Sequence, residues 1–349
     1  MASSSLQPLK DSNLKIFIKT QFRTKPRPPP LEPTSLAGKT ALVTGSNVGL
    51  GLESSRQLLS YGLSRLIIGV RSLPKGEAAA AGLRKQFPNA QVDVWELNMS
   101  SYQSIQAFIS RCEAELPNGL DMAILSAAVA NPAWKTTSPK DGKVHEEMFQ
   151  VNYLSTALLA ILLLPVLRAR EGKGPGRLTI VTSNLAITSQ FTNRNANPFI
   201  PSFDEPPKNG WGAQEGMDRY STTKTLTLML TQKLGELVSP DQVVVNTVDP
   251  GTVAGTAMSN RFPAWVKVVH SVIQLAARTV EEGAWTYLDA VAVKGKESHG
   301  GLCMNWDIYP FHPFMYTDEG KATTERLWEE TIAELAEVAP VGQILAGMK

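Results

Sequence analysis

Val43-Thr44-Gly45-Ser46-Asn47-Val48-Gly49-Leu50-Gly51 sets three glycines in nine residues, directly behind the apolar run Thr40 to Val43. Gly45 permits a tight turn, Gly49 leaves no side chain in the way of a pyrophosphate, and Gly51 lets a following helix pack closely on the strand. The free N–H groups and positive end of that helix then face an anion. A glycine-rich turn without a ligand has the same local spacing. The position decides for phosphate binding: the loop follows a strand and opens a helix at the start of a βαβ unit.

The pattern continues outward from the loop. Strands are expected at 41–44, 65–70, 91–97, 122–127, 177–182 and 242–248. Helices are expected at 50–60, 75–87, 101–116, 146–168 and 218–237. Such alternation predicts an α/β fold, a doubly wound parallel sheet with helices on both faces. Its ligands bind at the carboxyl ends of the strands. The most apolar segment, Leu154 to Leu167, is shorter than the roughly 18 residues a membrane span requires and contains Pro165, so it is read as a buried helix. Two stretches break the alternation and are expected to cover the substrate: 189–219, rich in Pro, Asn and Gly, and 253–278, with an apolar run containing Phe262, Trp265, Val266 and Val269.

The totals exclude other classes. The 349 residues carry 34 basic and 32 acidic side chains, a balance that does not suggest nucleic acid. Two cysteines, Cys112 and Cys303, are too few for a disulfide framework and point to a reducing, intracellular setting, taken as cytoplasmic. Residues 1–35 form an extension without a long apolar core, in which 26–33 is a stiff, proline-rich connector. Its short apolar stretch, 14–22, is expected to pack on its own domain or a partner rather than on a membrane surface. The histidines 145, 270, 299 and 312 make no metal-ligand spacing, and no metal is expected.

The chemistry lies further along the chain. Tyr220 and Lys224 are four apart in a helical run, so they share one face. A free tyrosine has a pKa of about 10, and ionising it at pH 7 costs about 4 kcal/mol. A lysine cation nearby, helped by an oxidised nicotinamide, lowers that cost. Tyr220 can then exchange a proton with an alcohol or carbonyl while hydride moves. Ser183 follows a strand, where its hydroxyl could bond a substrate oxygen. Asn152 is a polar amide within an apolar helix and must find a partner, either nearby backbone or the reaction site. At the end of the second strand stands Val70, where an acid would select NAD(H). Arg71 follows it, a fork of donors suited to the 2′-phosphate of NADP(H) or else a solvated surface residue.

With its Thr-Gly-x-x-x-Gly-x-Gly loop and Asn152, Ser183, Tyr220 and Lys224 in chain order, the sequence resembles the short-chain dehydrogenase/reductase family from about Leu36 to Ala339. It is most similar to the retinol-dehydrogenase-like and fungal secondary-metabolism members. The resemblance implies a single Rossmann-fold domain at 36–349 and an NADP(H)-dependent oxidoreductase interconverting a carbonyl and an alcohol. Its substrate would be a bulky, moderately apolar small molecule. In that reading Tyr220 moves the proton, Lys224 tunes it and binds the ribose, Ser183 orients the substrate oxygen and Asn152 supports the proton path. The implied cofactor contacts are Gly45, Ser46, Asn47, Gly49, Leu50, Gly51, Arg71, Asn98, Met99, Ser126, Ala127, Tyr220, Lys224, Pro250, Gly251, Thr252 and Val253. Many relatives form homodimers through the helix that carries Asn152, although here the N-terminal extension could cover it. Departures are Asn98 and Ala128, where the family has an aspartate and a glycine, and the long gap between Ser183 and Tyr220. The rival reading is a cofactor-binding scaffold without redox turnover, or one that catalyses a cyclisation or isomerisation.

Overall fold

The structure, a computed structural model, describes residues 3–10, 15–16, 19, 24–207, 210–254 and 277–349. Its frame is one eight-stranded sheet. The strands are β1 (Thr40–Thr44), β2 (Arg65–Val70), β3 (Gln91–Glu96), β4 (Met122–Leu125), β5 (Gly176–Val181), β6 (Val243–Asp249), β7 (Gly301–Met304) and β8 (Asp307–Tyr309). Their order is β8-β7-β6-β5-β4-β1-β2-β3, all parallel except the β7–β8 hairpin. The strand order reverses between β1 and β4, which makes the carboxyl end of β1 the expected ligand crevice.

Alternation along each strand feeds two cores. Leu42, Ile67, Ala123 and Leu178 point into one apolar layer. Ala41, Val43, Leu66, Ile68 and Ile124 point into the other. Because both faces are covered, the strands read as continuous apolar runs. The second layer is closed by α1 (Gly49–Ser60) and α2 (Leu73–Gln86). The first is closed by α3 (Tyr102–Glu115), α4 (Glu147–Leu167) and α5 (Ala213–Leu237). After β6 come α6 (Val280–Leu288), α7 (Asp318–Ala336) and α8 (Val341–Ala346).

Helix α4 is apolar on all sides, and almost all of it is buried. Pro165 falls at an exposed position, where its missing N–H costs least. The chain's own carboxyl-terminal helices cover α4: the Tyr153 hydroxyl bonds Thr331 of α7 at 2.8 Å, and α8 packs along the Ser155–Leu167 part. Little of α4 is left exposed. The described parts of the N-terminal extension also touch the fold. Ser3 Oγ accepts the Leu302 N–H at 2.7 Å, and Ile16 is buried in the first core.

Most boundaries shift by a residue or two from expectation, and three differences bear on the site or the sheet edge. Helix α5 begins at Ala213, five residues earlier than expected, so 213–217 are helical too. Strand β4 stops at Leu125, two residues early, because Ser126 N–H and Ala127 N–H both turn to the Thr44 hydroxyl, each at 3.0 Å. Strands β7 and β8 went unread, since each is only a few residues long. The apolar run with Phe262, Trp265, Val266 and Val269 lies outside the described residues.

Candidate active site

The glycine loop adopts the geometry its spacing implies. Gly45 has φ +68°, and a Cβ there would sit 2.9 Å from the Ala127 Cα. Gly49 also has positive φ, +59°, but a Cβ would meet nothing within 4 Å. Open space above a glycine at a helix start is what an approaching ligand needs. A Cβ on Gly51 would lie 2.7 Å from the Gly45 carbonyl oxygen, so this glycine serves close packing. Val48 at the N-cap position offers no side-chain hydrogen bond, which leaves the first N–H groups of α1 to an outside acceptor.

The other expected cofactor contacts differ in what they present. Arg71 is exposed at the carboxyl end of β2 and makes no ion pair or side-chain hydrogen bond among the described residues. Asn98 Oδ1 accepts the Ser100 N–H at 3.1 Å. Met99 turns into the core, and the Ser46 hydroxyl turns inward to the Val43 carbonyl at 2.8 Å, so both offer a ligand backbone only. Asn47 and Leu50 are half-buried on the loop. Ser126 Oγ lies 3.4 Å from the Tyr287 hydroxyl. The turn Pro250 to Val253 is held by Arg278, whose Nη1 donates to the Pro250 carbonyl at 2.8 Å and whose N–H donates to that of Thr252 at 2.9 Å. Gly251 within it has φ +77°.

The four expected catalytic residues are tied together through α5. Asn152 lies in a π-helical turn, Gln150–Leu154, of the kind frequent at functional sites. Its Oδ1 accepts the Val129 N–H at 2.8 Å, and its Nδ2 donates to the Val129 carbonyl at 2.9 Å and to Thr223 Oγ1 at 3.2 Å. Lys224 Nζ donates to the Val181 carbonyl at 2.9 Å, and the Thr182 hydroxyl donates to the Lys224 carbonyl at 3.0 Å. Ser183 follows directly, its Oγ accepting the Leu185 N–H at 3.3 Å.

The Tyr220 ring is buried among Ala130, Met148, Val129, Leu185, Trp211 and Met217. Its hydroxyl forms no hydrogen bond among the described residues. Burial pushes the Tyr220 phenol well above its ordinary pKa, with Tyr287 and Asp249 adding to the rise. Burial pushes Lys224 down to about 8. In the chain alone, then, Tyr220 is a neutral phenol at pH 7, while Lys224 is still mostly protonated there and loses its charge as pH rises through about 8.

Sequence reading missed the residues that frame this centre. Arg219, next to Tyr220, donates to the Phe203 carbonyl at 2.5 Å and lies over the Phe203, Trp134 and Trp211 rings. It also faces Glu146 at 3.5 Å, and Glu146 caps α4 by accepting the Met148 and Phe149 N–H groups, each at 2.9 Å. Beside it, His145 Nδ1 meets Asp204 at 2.8 Å, and its Nε2 lies 3.5 Å from Glu334. Asp204 belongs to 189–212, which also buries Phe191, Phe199 and Phe203. The only sequence signal was a set of charges and aromatics in a loop, with nothing to pair them.

Residues 39–194 match the pattern of the family described as short chain dehydrogenase. The short chain dehydrogenase/reductase mfmJ of Annulohypoxylon moriforme is 47% identical over 335 residues, covering 95% of this chain and 94% of that protein. The short chain dehydrogenase virL of Hypocrea virens is 42% identical over 326 residues, 91% of each chain. Among solved structures, the Escherichia coli oxidoreductase yciK superposes with a TM-score of 0.57 at 20% identity, over 78% of this chain and 96% of that one. With the reversal of strand order at β1, the glycine loop and relatives matched along almost their whole length, the chain belongs to the short-chain dehydrogenase/reductase family and is an oxidoreductase.

Proposed function

We propose that the protein is an NADP(H)-dependent enzyme interconverting a carbonyl and an alcohol on a bulky, moderately apolar molecule, such as a secondary-metabolite intermediate. The observation that carries this reading is the Tyr220 hydroxyl: it has no hydrogen-bond partner among the described residues, on a ring buried among apolar and aromatic side chains, on the same helix face as Lys224. The open space at Gly49 and the uncapped start of α1 suit a pyrophosphate. Arg71, exposed at the end of β2 and without an ion pair among the described residues, suits a 2′-phosphate better than a bare ribose hydroxyl. Bound there, the dinucleotide supplies or accepts the hydride.

The chain's own part is to orient and to move a proton. Tyr220 Oη gives its proton to the carbonyl oxygen during reduction and takes it back during oxidation. Ser183 Oγ donates to the same oxygen as charge develops. Lys224, fixed by the Val181 carbonyl, favours the phenolate electrostatically. Trp211, Met148, Met217 and Leu185 exclude water from the reacting oxygen. Segment 189–212 walls the substrate side, and the protein works in the cytoplasm. The test is loss of NADPH absorbance with a panel of carbonyls. Turnover by the wild type, lowered roughly 10²- to 10⁴-fold in Tyr220→Phe, is expected; unchanged turnover in that variant overturns the reading. Tight NADPH binding without oxidation across the panel would favour the scaffold without redox turnover.

A further inference from the structure

The amino ends of β1, β4, β5 and β6 surround a cavity of about 310 Å³, a volume within the range of small-molecule sites. It lies at the opposite edge of the sheet from the glycine loop. From Lys39 to Gly45 strand β1 alone spans roughly 20 Å. Met122, Val244 and Val291 are buried, and with Ala292 they give the cavity an apolar floor. Val291 and Ala292 come from a π-helical turn, Asp289–Val293, that continues α6. Such turns are rare and are frequent at functional sites.

The charged lining is mostly cationic: Lys39, Arg177 and Lys296 against Asp121. Two of these four are already engaged. Asp121 Oδ2 accepts the Thr40 N–H at 2.8 Å and its Oδ1 faces Lys173 at 3.7 Å, while Lys296 pairs with Asp241. Lys39 and Arg177 form no ion pair among the described residues. The half-buried Arg177 side chain donates only from Nη1, to the Val291 carbonyl at a long 3.4 Å. Most of its five N–H donors therefore have no partner among the described residues. A guanidinium held this way gives up hydration without gaining a counter-ion.

The geometry points to a second ligand site, at the amino edge of the sheet, for a small organic carboxylate: the acid group meets Arg177 and Lys39, and an apolar body lies on Met122, Val244, Val291 and Ala292. A guanidinium can take a carboxylate through two parallel hydrogen bonds, which an alcohol cannot match. The apolar floor favours an organic acid over an inorganic anion, because burying its carbon body adds to the charge contact. The site shares no residue with the proposed dinucleotide cradle, so acid and NADPH should bind together.

Calorimetric titration of the full chain with hexanoate, hexanol and inorganic phosphate, with and without NADPH, tests the site. Hexanoate should bind once per chain with an affinity that NADPH does not change. Hexanol and phosphate should each bind about tenfold more weakly or worse. Arg177→Gln keeps much of the side chain and removes the charge; it should weaken hexanoate about tenfold or more and leave NADPH affinity as it was. Lys39→Gln, at an exposed position where folding is not at risk, should weaken hexanoate about threefold. The assignment is overturned by a wild type without saturable hexanoate binding, by unchanged affinity in either folded variant, by displacement with NADPH, or by phosphate binding as tightly as hexanoate.

Discussion

Lys224 Nζ stands 5.7 Å from the centre of the Tyr220 ring and donates at 2.9 Å to the carbonyl of Val181, two residues before Ser183. The bond holds the ammonium to the end of β5 and leaves the phenol hydroxyl unengaged. A cation without a carboxylate partner in an apolar interior costs folding free energy, and the depressed pKa of Lys224 expresses that cost.

Lys224→Met should therefore abolish turnover and yet stabilise the fold. A free lysine titrates near 10.4. Its folded value is about 8, so between those values the unfolded chain binds more protons, and stability rises with pH. At pH 7 the variant should exceed wild type by about 2 kcal/mol. The gap should narrow as pH rises through 8 toward 10. Chemical denaturation across that range checks it; a variant less stable than wild type at pH 7 would refute the account.

Tyr220→Phe should lower kcat/KM by roughly 10²- to 10⁴-fold with NADPH affinity nearly unchanged. Fluorescence titration with NADPH beside steady-state rates separates the two effects.

Arg71→Ala should weaken NADPH by about tenfold to a hundredfold, the worth of hydrogen bonds to a charged group, and leave NADH almost unaffected. Equal losses for both dinucleotides would count against a 2′-phosphate contact.

The loop glycines should fail in different ways. Gly45→Ala drives a Cβ to 2.9 Å from Ala127 Cα at φ +68° and should reduce Tm with or without ligand. Gly49→Ala meets no protein atom and should cost only about 1 kcal/mol of stability from its positive φ. Its main effect should be on NADPH affinity, where the methyl enters the ligand's space.

The clasp beside α4 should give the fold a pH window. Burial opposes the charged form of His145, but its contacts with Asp204 and Glu334 win and lift it to about 9. Burial also opposes ionised Glu334, but contacts with His145 and Lys143 bring it down to about 2. The histidine's contribution is complete below its unfolded pKa of about 6.5 and is lost as pH rises through 9. The glutamate's is complete above its ordinary range near 4.5 and is lost as pH falls toward 2. His145→Phe should cost about 2 kcal/mol at pH 6 and much less above pH 9. Melting curves at the two pH values would show it; a constant deficit would sink the argument.

Much of the frame was legible because its signals are local. The alternation of apolar strands and helices follows from burial on both faces of a parallel sheet, so it is written into consecutive residues. The same holds for Gly45 and Gly49, whose positive φ values are set within one turn. The beginning of α5 was misplaced because Ala213 to Met217 carry no strong apolar period; Glu215 supports that end by accepting the Gly212 N–H at 2.9 Å. That α7 covers α4 is not legible in the sequence, since it depends on contacts such as Tyr153 with Thr331.

By itself the sequence determined the doubly wound sheet, the cradle at the start of α1 and the order of four polar residues along the chain. Those properties depend on short-range periodicity and on backbone freedom at single residues. Tertiary structure alone decided which groups face the phenol, that Arg219 and Glu146 meet beside Tyr220, and that α7 and α8 occupy the surface of α4. Residues 65 positions apart, such as Asn184 and Asp249, meet only after the sheet has formed. Their electrostatics depend on burial, which no local pattern encodes.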